Sequence, residues 1–280
     1  MGKLINNLIT PFNEEGKVCF KTLKLLLDEA SRNKNDALVL FSLCGEGTSL
    51  SILEKIEIYK FVKENTNLEV YYSLNHLSYE SAIDEIEKIK DLDISTFVIT
   101  CPYFIKPSQD GLFLYYKYLA KYLFSKKILI HNIPSRTGVN ISFTTLKKLL
   151  KSQKNIVGLI ESSSDLNLIS LLKKDFPSFL VYLSEDKLIY EGLERGVDGL
   201  VSSISISFGK TIKEVMEDYQ IGFKNELIVS YLRLVCEIFS EYNIPSNIKY
   251  YLSKKGFDSM NLRLPLVKVK DINEDFNLLM

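Results

Sequence analysis

Eight short apolar runs, each followed by a stretch of helical periodicity, limit this chain to very few folds. The runs fall at Leu8–Pro11, Ala37–Phe41, Glu69–Leu74, Thr96–Cys101, Lys127–Asn132, Ile156–Ile160, Phe179–Leu183 and Gly199–Ser202. Apolar residues then recur at helical spacing, as in Phe20, Leu23, Leu26 and Leu27, or Ile83, Ile86 and Ile89. Continuous apolar runs bounded by turn residues are the mark of parallel strands covered on both faces. Their separation of about 20 to 30 residues is what a βα unit needs. Eight such units is the number that closes, so the reading is α/β, a (β/α)8 TIM barrel, with an open doubly wound sheet as the rival.

Beyond about Asn225 the pattern changes. Leu227 to Phe239 is helical and rich in Leu, Ile and Val, and Ile248 to Leu252 continues it after a turn at Pro245. The expectation is a barrel over residues 1–222 and a C-terminal helical extension over residues 223–280, packed on the barrel.

Charge excludes some functions. Thirty-five basic and thirty-five acidic residues cancel, which gives no pull toward nucleic acid or an anionic membrane. No apolar run approaches the roughly 18 residues of a membrane span, and MGKLINNLITPF carries no export signal. Cys19, Cys44, Cys101 and Cys236 are widely spaced and form no CxxC, and the two histidines, His76 and His131, lie on different strands. No metal site, no cofactor and a cytoplasmic location are therefore expected.

In a barrel, chemistry belongs at the C-terminal ends of the strands. Those ends carry Thr10-Pro11, Ser42 to Thr48, Cys101-Pro102-Tyr103-Phe104, His131 to Gly138, Ile160-Glu161-Ser162, Ser184 to Lys187 and Ser202-Ser203. In order along nearly the whole chain, several stretches resemble one family. They are Leu8-Ile9-Thr10-Pro11-Phe12, Gly45-Glu46-Gly47-Thr48, Pro102-Tyr103-Phe104 with Pro107 to Gly111, His131-Asn132-Ile133-Pro134-Ser135-Arg136-Thr137-Gly138-Val139, and Asn155 to Glu161. The family is that of dihydrodipicolinate synthase and N-acetylneuraminate lyase, pyruvate-dependent class I aldolases. The resemblance implies a barrel with a helical C-terminal extension, a homodimer or homotetramer, and lyase chemistry on a small carboxylate or keto acid.

The departures from the family pattern carry the functional reading. The position matching the family's reactive lysine is Ile160. A lysine amine attacks a ketone and loses water to form a Schiff base, whose positive charge lets pyruvate release a methyl proton. Isoleucine has no lone pair and can do none of this. The family's proton relay of one threonine and two tyrosines falls here on Leu43, Phe104 and His131. Leu43 and Phe104 cannot pass a proton, while His131 could, at an ordinary pKa near 6.5. Retained is Arg136, which the resemblance assigns to a substrate carboxylate, since a guanidinium holds a carboxylate with two parallel hydrogen bonds. The plainer reading is an arginine paired with a local acid.

Three functional readings follow. The first is a pseudoenzyme that keeps a carboxylate-binding pocket formed by Arg136, Cys44 and His131 but has no confident catalytic residue. The second is an enzyme with altered chemistry on Cys44, His131 and Arg136, against which a buried thiol and a packed histidine stand as the plainer interpretation. The third is an active synthase or lyase of the same family with a relocated lysine, for which Lys187 and, more weakly, Lys106 are candidates. Glu46 and Glu161 are read as acceptors for loop amides rather than catalytic acids.

Overall fold

A computed structural model of the protein describes residues 2–240, 244–269 and 279. Its strands are β1 (Lys3–Asn7), β2 (Ala37–Leu40), β3 (Glu69–Leu74), β4 (Thr96–Thr100), β5 (Lys127–Asn132), β6 (Ile156–Glu161), β7 (Leu180–Leu183) and β8 (Gly199–Ser202). Between and after them run helices α1 (Phe20–Arg32), α2 (Ile52–Asn65), α3 (Tyr79–Lys88), α4 (Gln109–Tyr122), α5 (Pro134–Thr137), α6 (Phe143–Ser152), α7 (Leu166–Asp175), α8 (Ile189–Glu194) and α9 (Ser205–Gln220). Helices α10 (Glu226–Ser240) and α11 (Ile244–Lys254) form the C-terminal helical extension. The strands are joined in the closed order β1 to β8, and every strand pairing described is parallel, so the (β/α)8 expectation holds and the open sheet does not. Of the expected extension, residues 241–243, 270–278 and 280 lie outside the described residues.

Several helices start where the sequence supplies a cap. Ser51 and Glu54 form a capping box at the head of α2, and Ser108, Ser142 and Asp165 accept backbone amides at the heads of α4, α6 and α7. Each such oxygen satisfies an amide that the first helical turn leaves without a partner. Leu23, Leu26 and Leu27 of α1 are buried, as their spacing predicts.

Two details correct the sequence reading. The first strand is Lys3–Asn7, and Leu8–Pro11 follows it. The polar Asn6-Asn7 pair falls outside any apolar run, yet both side chains are buried here. Asn6 Nδ2 donates to Ser202 O at 3.2 Å and to Ser205 Oγ at 2.9 Å, so the pair is accommodated within a strand. Pro245 is not a turn between two helical pieces but lies in the first turn of α11, where its missing N–H is not needed.

The chain divides into two compact units, Lys3–Val70 with Ser202–Met280, and Tyr71–Val201. The first contains β1, β2 and the C-terminal helices, and the second contains β4 to β7.

Candidate active site

The unit Tyr71–Val201 places four of the residues of interest on one level. Thr100 of β4 stands beside His131 of β5, His131 beside Ile160 of β6, and Ile160 beside Tyr182 of β7. Residues level across parallel strands point the same way, and alternate residues point oppositely. The opposite face is turned to helices, because Tyr72 reaches Glu85 of α3 at 2.8 Å and Cys101 meets Tyr116 of α4 at 3.2 Å. Thr100, His131, Ile160 and Tyr182 therefore share the face directed away from the helices.

Ile160 is 1% exposed. The only lysine within β3 to β7 is Lys127, exposed at the far end of β5. It stands four residues before His131, roughly 13 Å away at about 3.3 Å per residue, which is beyond the reach of a lysine side chain. His131 is buried, and its Nε2 lies 3.2 Å from Ser162 Oγ. Burial lowers its pKa to about 4, so the imidazole is neutral at pH 7 and poorly able to hold a proton.

Next to this level, Asn132 and Glu161 point the other way. Glu161 is fully buried, accepts the Ser163 amide at 2.5 Å and Asn132 Nδ2 at 2.9 Å, and has its pKa raised by burial. It serves the loop after β6 rather than the face bearing Ile160.

Arg136 lies on α5, exposed, and makes no ion pair with any described residue. A guanidinium that is not neutralised locally is available to an anion. Phe104 is 85% exposed and, like Lys106, has a left-handed backbone, with φ of +66° and +45°. Lys106 is exposed, and its aliphatic stem lies close over Gly138, which itself has φ +71°. Lys187 is half-buried in a single 3₁₀ turn, Asp186–Leu188, after β7.

The other unit carries the remaining positions on the loop after β2. Leu43 is 40% exposed, while Cys44 is buried with Sγ 2.8 Å from Ser203 Oγ. Glu46 is buried and takes the Arg263 amide on one oxygen at 3.0 Å and Lys249 Nζ on the other at 2.5 Å. Lys249 is the lysine that sequence reasoning missed. Its pKa is lowered to about 8 by burial, opposed by Glu46. Its amine also donates to Asn261 O at 2.7 Å and lies 4.3 Å from the centre of the Phe12 ring. A lowered pKa can make a lysine nucleophilic, but this one is wholly enclosed and engaged. Among the described residues no three His, Cys, Asp or Glu side chains converge in a way that could hold a metal ion, and no helix is long and apolar enough to cross a membrane.

Known proteins give the family. The model of the dihydrodipicolinate synthetase family matches residues 1–276. This chain belongs to that family. Its relatives include the 4-hydroxy-tetrahydrodipicolinate synthase of Karelsulcia muelleri, 31% identical, with 93% of this chain and 90% of the relative covered. Another is that of Listeria innocua, 32% identical, with 98% and 94% covered. Among solved structures, the 4-hydroxy-tetrahydrodipicolinate synthase of Methylacidiphilum fumariolicum matches with a TM-score of 0.93 at 28% identity, covering 99% of this chain and 94% of that one. The family match spans residues 1–276, and this family member carries an isoleucine, Ile160, on β6.

Proposed function

We propose that this chain is a dihydrodipicolinate synthetase family member without pyruvate Schiff-base chemistry, which binds a small carboxylate or keto acid and acts as a cytoplasmic homo-oligomer. The observation that carries this reading is Ile160, buried on β6 with no lysine near its level on β4 to β7. Iminium formation needs an amine at the carbonyl, and a hydrocarbon side chain supplies none. Leu43 and Phe104 lack hydroxyls, and the neutral, buried His131 is a poor proton carrier, so the relay is interrupted along with the nucleophile. The exposed Arg136, which pairs with no acid among the described residues, supports retained affinity for a carboxylate.

The alternatives have weaker support. Lys187 lies half-buried in the 3₁₀ turn after β7 and not on a strand of the level that bears Ile160. The Cys44 thiol lies 2.8 Å from the Ser203 hydroxyl, and a hydroxyl is too weak a base to generate a thiolate.

Proton exchange tests the proposal. An enzyme that turns pyruvate into an enamine washes deuterium from the solvent into the pyruvate methyl group. For this protein in D2O, proton NMR should show methyl exchange no faster than in buffer alone. Exchange accelerated in proportion to protein concentration would overturn the reading.

A further inference from the structure

The loop after β2, which bears Leu43 and Cys44, has a strained backbone. Phe41 and Glu46 both adopt left-handed conformations, with φ of +63° and +50°, although neither is glycine. Gly47 is pressed so closely on Phe41 that an added Cβ would lie 1.9 Å from its carbonyl oxygen. Such a conformation persists only where its surroundings impose it.

On one side Thr10 Oγ1 donates to Gly45 O at 2.7 Å, and on the other the loop is held by α11 and the segment after it, within the same unit. Lys249 grips Glu46 Oε1, and the Arg263 amide meets Glu46 Oε2. The Arg263 side chain reaches further along the loop, donating Nη1 to Ser49 O at 2.7 Å and bonding to Glu54 at the head of α2. Both cations also lie 4.3 Å from the centre of the Phe12 ring, one on Nζ and one on Cζ. Glu46 is 3% exposed and Lys249 0%, so neither can exchange its partner for water.

We propose that Lys249 and Arg263 are positioning residues, through which the C-terminal extension sets the β2 loop and with it the placement of Leu43 and Cys44. The role of that loop in ligand binding rests on the functional reading above, but the order of the loop can be measured without any ligand.

The test is amide hydrogen exchange on the full chain, with Lys249→Ala and Arg263→Ala made separately. The amides of Glu46, Gly47 and Ser49, bonded to Leu43, Ser42 and Glu46 carbonyls, report the loop. The amides of Ser162 and Ser184, bonded to Asn132 and Glu161 carbonyls, report the other unit. The loop amides should lose protection at least ten-fold in each variant while Ser162 and Ser184 keep theirs. Alkylation of Cys44 by iodoacetamide should accelerate likewise, that of Cys101 should not, and ethylammonium should reverse the change in Lys249→Ala by refilling the vacated site. If Lys249→Ala does not fold, Arg263→Ala decides. Unchanged loop protection and unchanged Cys44 reactivity would overturn the proposal, as would equal loss in both units. Methyl exchange of pyruvate by the unmodified protein tests the functional reading independently, so the two can fail separately.

Discussion

At Ile160 the chemistry of the family and the packing of this chain meet in one side chain. The residue is buried between His131 and Tyr182, on a face whose only lysine is distant and exposed. A lysine introduced there would be desolvated, which depresses an amine pKa and could favour nucleophilicity. Proton transfer would still fail, because Leu43 and Phe104 carry no hydroxyl and His131 is held neutral. Ile160→Lys is therefore expected to show no synthase turnover above background in a steady-state assay. Substantial turnover in that variant would show that the relay matters less than the nucleophile. The place of Ile160 in the family pattern is legible in the sequence only through its neighbours Gly158 and Glu161. The neutrality of His131 is not, because it arises from burial, and sequence spacing does not give burial.

Among the elements, the strands were the most legible, and where they were misplaced the reason is polar. Seven of the eight begin or end within one residue of the expected runs, while β1 lies before its expected run because its buried asparagines interrupt the apolar pattern. The β2 loop was the least legible. Lys249 is one of many lysines in this chain, and such a residue reads as surface until the fold shows it enclosed against Glu46. Arg263 gives a measurable consequence at this scale. It holds the carboxyl of Glu54 down to about 2 through a hydrogen bond, aided by the Ser51 contacts of the capping box. Because the folded pKa lies below the unfolded one, this stabilisation is fully present above the unfolded value near 4.5 and is lost as pH falls toward 2. Chemical denaturation between pH 5 and 3 should therefore show stability falling less steeply in Arg263→Ala than in the unmodified chain. An equal slope in both would remove Arg263 as the cause.

For the molecule as a whole, eight βα units sufficed to read the architecture, and the family extends from residue 1 to residue 276. The reaction is a different matter. An intact barrel is compatible with many chemistries or none, because function resides in particular side chains rather than in the fold. The molecule is expected to keep the architecture of a synthase and to lack its covalent step. Borohydride reduction in the presence of pyruvate, followed by intact-mass measurement, tests this most directly. The expected result is an unmodified mass under conditions that label an active family member fully. A stable pyruvyl adduct, mapped to any lysine, would contradict it.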